Sequence, residues 1–364
     1  MTSSAGGQPV ECRIDPAFTH LLGELGGSLL ITTYQANKVI AVSSDGLRLN
    51  LLMRDFEKPM GLAVQGSTWA LGTREDIVLL ENAPYLAPEY KLDRPDKYDA
   101  LFLPRVTYHT GDVAVHDLAF DSSGAVWFAN TRFSCVSRLN MRFSFEPMWK
   151  PPFVSQIAPG DRCHLNGLAM VDGRAAYVTC LGETDEAGGW RGGKATGGCV
   201  VDIGSNEVIL RGLAMPHSPR WHGGRLWILN SAAGELLVLD RNTGRVTVAG
   251  ALPAYVRGLD FAGAYALVGM SKIREARTFG DLPVQSRFDQ LLCGVAAVNL
   301  GSGTVEGMLE FTEGVSDLFE VRFLPGVRKP TVLNREREEF RYAFTAPQFS
   351  YWIRDQKVAP ARCG

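Results

Sequence analysis

Gly224-Arg-Leu-Trp-Ile-Leu-Asn-Ser231 opens on glycine, runs through a short apolar stretch and stops on a polar residue, and variants of this block recur along the whole chain. The other copies are Gly27-Ser-Leu-Leu-Ile-Thr-Thr-Tyr34, Gly66-Ser-Thr-Trp-Ala-Leu-Gly-Thr73, Gly124-Ala-Val-Trp-Phe-Ala-Asn-Thr131, Gly173-Arg-Ala-Ala-Tyr-Val-Thr-Cys180 and Gly263-Ala-Tyr-Ala-Leu-Val-Gly-Met-Ser271. A glycine turn followed by a short apolar run rich in β-branched and aromatic residues reads as a strand. Most copies follow another short strand, as in Met60-Gly-Leu-Ala-Val64, His116-Asp-Leu-Ala-Phe120, Asn166-Gly-Leu-Ala-Met170, His217-Ser-Pro-Arg-Trp221 and Arg257-Gly-Leu-Asp-Phe261. Most also precede a third, as in Lys38-Val-Ile-Ala-Val42 or Glu235-Leu-Leu-Val-Leu-Asp240. Repeats of about 40 to 60 residues built this way predict an all-β fold, a six-bladed β-propeller.

The first copy has no preceding strand of its own, whereas residues 315–323 supply a spare one after the sixth blade. The expectation is a ring closed by that C-terminal strand pairing beside residues 28–34, which removes open sheet edges. The whole chain, 1–364, reads as one propeller domain, with 1–25 as a lead-in, loose over residues 1–14, and 327–364 as a tail docked through its aromatic residues.

Composition narrows the function classes. A net charge of −2 with no dense Lys/Arg block gives no basis for nucleic acid or an anionic membrane as partner. No leader peptide and no run long enough to span a bilayer is recognisable, so the expected location is cytoplasmic. The seven cysteines, without a CxxC pair, fit reduced thiols. Cys180 and Cys199 bracket a long loop and are placed to face one another, bridged or free. Oligomeric state is left open.

Two inserts, residues 181–198 and 272–292, separate second and third strands and so overhang one mouth of the central channel. The first, with Gly188, Gly189, Gly192, Gly193, Gly197 and Gly198, reads as a mobile lid. Aligned innermost strands bring Met60, His116, Asn166, His217 and Arg257 to the same mouth, with His164 two residues before Asn166. His116, His164 and His217 therefore form a candidate site for a divalent transition metal such as zinc, copper or iron. The same residues also suit a metal-free polar pocket, or plain structural hydrogen bonding, and His20, His109 and His222 read as structural. The ends of the second strands add Tyr34, Gln35, Arg74, Asn130, Arg132, Asn230 and Lys272, with Arg274 and Arg277 just beyond. Several cations at one rim suggest an anionic substrate group, since guanidinium matches a carboxylate. For each arginine, pairing with a neighbouring carboxylate is the competing reading. Trp69, Trp127 and Trp227 read as packing between blades.

Asn166-Gly-Leu-Ala and Arg257-Gly-Leu-Asp, on this six-fold rhythm, resemble the SMP-30/gluconolactonase-like propellers. That resemblance implies a divalent-metal site using the asparagine, although Arg257 stands where those proteins carry an acid, and only Asp317 or Glu320 could replace it. The blocks HDLAFD, HLNGLAM and LFEVRFLPG resemble a family of uncharacterised bacterial propeller proteins, a likeness that implies fold and no activity. The expected function is a metal-dependent hydrolase, lyase or oxidoreductase acting on a small carboxylate-bearing or peptide substrate, with His116, His217 and Arg257 catalytic and Tyr34, Gln35, Arg74, Asn130, Arg132, Asn166, Asn230 and Lys272 binding substrate. The alternative is a non-enzymatic propeller that binds a peptide or protein.

Overall fold

Along one strand of this protein, successive side chains point into different cores. Leu29 and Ile31 pack with Leu267 and Val295, whereas Leu30, between them, packs with Leu62, Trp69 and Leu71. Alternate residues of a strand face opposite sides of its sheet, so a sheet buried on both sides needs an unbroken apolar run, which is what each repeated block supplies. The same division separates Leu226 and Ile228, packed with Ala169 and Val200, from Trp227 and Leu229, packed with Val256 and Val268. Clusters of this kind fill all the seams between neighbouring blades.

The computed structural model describes residues 9–91, 93–94, 97–273 and 281–353. Its six blades are antiparallel sheets whose innermost strands touch one another in a ring about the axis. Blade 2 begins with Leu62–Gln65, blade 3 with Val115–Phe120, blade 4 with Leu165–Val171, blade 5 with Pro216–His222 and blade 6 with Tyr255–Ala262. Blade 1 takes its innermost strand from the other end of the chain: Glu320–Pro325 pairs antiparallel with Gly27–Thr33, Thr32 facing Glu320 and Gly27 facing Pro325. The closure expected from sequence is therefore present, but it starts five residues later. Residues 315–319 are held irregular because Leu318 N donates to Ser271 Oγ and Phe319 N to Thr32 O, which draws the segment across from blade 6 to blade 1.

Both ends of the chain do more than a lead-in and tail. Glu11–Ile14 adds an outer strand to blade 6, and Pro16–Glu24 is a helix capped by Asp15 that buries Phe18 and Leu22. Residues 11–24 are thus structured, contrary to the loose lead-in. Pro330–Val332 adds a parallel strand to blade 2, and a hairpin of Ala343–Ala346 and Phe349–Trp352 docks on the loop after Asn82 by stacking Trp352 on Tyr90. The insert at 181–197 is not a free lid. Its Trp190 is buried with Met215, Tyr255, Leu282 and Val284, so the two inserts pack on each other. Cys180 and Cys199 face one another in register and are both free thiols; burial, with Cys163 and Cys199 beside it, pushes the Cys180 thiol up.

Candidate functional site

Across the axis, the innermost strands carry a charge cluster. Arg220 of blade 5 reaches Asp117 of blade 3 at 2.8 Å and Glu320 of the closing strand at 2.8 Å, and Arg322 stands 3.5 Å from both acids. The acids also accept backbone N–H groups, Asp117 from Leu118 and Leu168, Glu320 from Leu259 and Val321. Burial disfavours the charge on Arg220, but the facing carboxylates of Asp117 and Glu320 override it and hold the guanidinium more firmly protonated than usual. Every charge has partners, as a buried cluster requires. Glu320 is thereby committed to the axis and is not the oxygen ligand that the SMP-30 resemblance would need.

The histidines lie toward the mouth that the inserts overhang, and two of them are set by the same local device. His116 Nδ1 lies 3.0 Å from Ala114 O and 2.8 Å from Thr131 Oγ1, and the Thr131 hydroxyl donates its own proton to Leu165 O. His217 Nδ1 lies 2.9 Å from Met215 O and 3.0 Å from Ser231 Oγ. Two acceptors around Nδ1 place the proton there and leave Nε2 with its lone pair. The carbonyl two residues back can turn onto the ring because Ala114 and Met215 both adopt the left-handed conformation, φ 54° and 48°. Asn130 and Asn230, predicted to bind substrate, brace turns: Asn130 accepts from Phe133 N in its own turn, and Asn230 from Ala214 N in the turn before Pro216–His222. Their neighbours Thr131 and Ser231 orient the imidazoles. The sequence signal was an Asn-Thr or Asn-Ser pair about fourteen residues after a histidine, in two blades.

His164 is held differently, its Nδ1 2.9 Å from Asp161, which also accepts from Trp190 Nε1. Its ring meets His116 edge to face at 4.8 Å and packs against Trp190 at 4.4 Å, whereas His217 packs against Tyr255. Each ring is thus fixed against a different neighbour. Among the described residues, no group of three His, Cys, Asp or Glu side chains is arranged to hold a metal ion. Asn166, 2% exposed, accepts from Thr179 Oγ1 and lies beneath this layer.

Between the histidine layer and solvent lies a cavity of about 390 Å³, lined by His116, Tyr255, Arg257, Lys272, Asp317 and Phe319, with Tyr34, Arg74 and Asp112 toward its rim. The volume falls in the range of small-molecule sites. Arg257 lies over the Phe319 ring, 3.3 Å from its centroid, and Phe319 also touches His116. Burial, then the facing His164 and Arg257, hold the His116 pKa well below the ordinary imidazole range, and burial with Arg257 does the same for His217. Of the other predicted residues, Arg74 pairs with Glu57 at 3.3 Å across a largely exposed contact, while Arg132 pairs with Asp112 at 2.7 Å, both half-exposed. Gln35 contacts Asp317 and Ser316 through its backbone N–H and its amide oxygen respectively. Arg274 and Arg277 lie outside the described residues.

Fold and site together define a six-bladed propeller with a histidine- and arginine-lined cavity at one mouth of its channel. The chain belongs to the family described as Domain of unknown function (DUF4915), whose model matches residues 16–333. Comparison with curated proteins gives no match. Among solved structures it is similar to a chain of a nidogen/laminin complex, with 10% identity over 83% of this chain and 99% of that one and a TM-score of 0.50. It is also similar to a protein of unknown function from Bacteroides caccae, with 10% identity, 82% and 99% coverage and a TM-score of 0.51. Virginiamycin B lyase from Staphylococcus aureus is more distant, at 15% identity, 67% and 74% coverage and a TM-score of 0.40, and bears no weight. These likenesses speak for the fold alone. The SMP-30 resemblance gains nothing from them and rests on the short motifs around Asn166 and Arg257.

Proposed function

We propose that the channel-mouth cavity takes a small carboxylate-bearing molecule and that His116 exchanges a proton with it. The observation that carries this reading is the state of His116: its Nδ1 proton is committed to Ala114 and Thr131, leaving a neutral imidazole with an unprotonated Nε2 in the cavity wall, which Arg257 also lines. A fixed tautomer with a free Nε2 lone pair can accept a proton, and a bound carboxylate facing Arg257 offsets one of the charges that depress His116, moving it toward the range a general base needs. Arg257, its plane steadied on Phe319, and Lys272 supply the charge to anchor a carboxylate. Arg74 assists at the rim, because an exposed ion pair such as Arg74–Glu57 is worth little and yields to a competing ligand. The reaction class is proton abstraction, as in an elimination or isomerisation next to the carboxylate, or activation of water for hydrolysis.

The test uses a panel of malonate, malate, tartrate, citrate and a short acidic peptide, read by thermal shift, with binders followed for solvent-deuterium uptake by proton NMR. The expected result is a panel member that raises the melting temperature in the wild type but not in Arg257→Ala, with deuterium uptake abolished in His116→Gln while binding persists. Binding without any catalysed exchange or turnover would remove the base role and leave a ligand-binding propeller. No Arg257-dependent binder would end the proposal.

A further inference from the structure

We propose that the end of the channel opposite the histidines is a second ligand site, for an uncharged molecule with an aromatic body and one oxygen acceptor. Each innermost strand starts near the histidine mouth, as at Val115 and Pro216, and runs to the far one. There a cavity of about 660 Å³ is lined by residues at or near the strand ends, Val64, Phe120, Met170, Trp221 and Phe323 among them. The volume suits a small molecule. The cavity exists because the blades differ at one place in the repeat. The preceding position is alanine in blades 2, 3 and 4, at Ala63, Ala119 and Ala169, but holds Arg220, Asp260 and Arg322 in blades 5, 6 and 1. All of these except Ala169 line the cavity. Small side chains on one half of the ring leave space that the long charged ones on the other half do not fill.

Walls and charges together define the ligand. Phe120, Trp221 and Phe323 come from three different blades and are each half-buried, so the cavity is walled by rings that suit a flat apolar body. Arg220 spends its donors on Asp117, Glu320 and the carbonyls of Pro219 and Leu259, while Asp260 accepts from Phe261 N and Phe323 N. Arg322 differs. Its Nε donates to Leu62 O at 2.8 Å and its Nη1 to Leu259 O at 3.2 Å, but its Nη2 comes no closer than 3.5 Å to Asp117 and Glu320. A guanidinium carries five N–H donors, so Arg322, its side chain only 10% exposed, keeps hydrogens for an acceptor on the ligand. A net charge on that ligand has no place here. Asp117 and Glu320 already answer the two arginines, so a carboxylate would stay uncompensated, and an ammonium would meet Arg220 and Arg322.

Isothermal titration calorimetry of the full chain with four naphthalenes tests this: 2-acetylnaphthalene, 2-ethylnaphthalene, which lacks the ketone, 2-naphthoate and 2-naphthylmethylammonium. The ketone should bind about tenfold or more tighter than each of the other three, the step expected for one hydrogen bond to a charged donor or for burying an unanswered charge. Ala119→Leu fills the alanine half and should weaken the ketone about tenfold or more with the thermal melt unchanged. Phe120→Leu, which removes a ring from the wall, takes its place should a leucine at 119 disturb folding. Arg257→Ala, at the histidine mouth, leaves the affinity for the ketone unchanged, so this site is tested apart from the carboxylate site. No binding of 2-acetylnaphthalene at about 0.5 mM would overturn the proposal. Equal binding of 2-ethylnaphthalene or of a charged analogue would do so too, as would an affinity that follows Arg257 and ignores Ala119 and Phe120.

Discussion

Replacing Arg220 by methionine keeps most of the side-chain volume but removes the cation that joins Asp117 to Glu320 across the axis. Breaking a buried ion pair from one side costs about 3–5 kcal/mol, because it strands the other charge. Here Arg322 stays 3.5 Å from both acids, and each acid keeps two backbone donors, so the expected loss is at the low end, about 3 kcal/mol. With a urea dependence of about 3 kcal/mol per molar for a chain of this size, the unfolding midpoint should fall by about 1 M, read by tryptophan fluorescence. The loss also has a pH signature. Burial raises the Glu320 carboxyl above its ordinary range, with Arg322 and Arg220 opposing that rise. A raised carboxyl holds its proton more tightly in the folded state than in the unfolded chain, so its contribution is favourable below the unfolded value and is lost as pH rises through the folded one. Without Arg220 the rise is larger, so the penalty should be greatest at pH 7 and shrink at pH 5. A loss below about 1 kcal/mol, or the same loss at both pH values, would show that the cluster does not brace the ring.

His217, neutral and buried, has a folded pKa below its unfolded one, so its contribution is present above the unfolded value of about 6.5 and lost as pH falls toward the folded value. His217→Gln should therefore reduce the loss of melting temperature between pH 7.5 and 5.0. Trp190→Ala should cost about 3–5 kcal/mol and speed hydrogen exchange across residues 182–197, because Trp190 anchors that insert; unchanged exchange would mean that the glycines hold it unaided. Ending the chain at Gly314 removes the innermost strand of blade 1, and the product should be insoluble or lack a cooperative melt.

The ring was legible because each blade must bury both faces, and only unbroken apolar runs between glycine turns do that. Such runs stand out in Leu29-Leu-Ile31 and Leu226-Trp-Ile-Leu229. Closure was legible from an unpaired strand at each end, but its first residue was misplaced because Val315, Leu318 and Phe319 are as apolar as a strand and serve instead to cross between blades. The strands at 11–14 and 330–332 are too short for periodicity to reveal. The helix at 16–24 did carry a signal, Asp15-Pro16 followed by Phe18, Leu21 and Leu22 at helical spacing. At the site, sequence expected His116, His164 and His217 at one mouth, and of these His116 lines the cavity. Sequence could not say which ring nitrogen would be bound, since that depends on carbonyls turned inward by left-handed residues. Nor could it show that Arg220, read only as part of an innermost strand, would face two acids from distant blades.

Blade 1 is completed by residues almost a chain length apart: Glu320 N donates to Thr32 Oγ1 across 288 positions. On a ribosome adding 5–20 residues per second, the strands at 27–33 and 38–44 wait roughly 15–60 s for their inner neighbour. During that time an apolar, unpaired strand edge is left open. Closing the ring this way leaves blade 1 unfinished until the other five blades have been made, and that interval is set by their combined length.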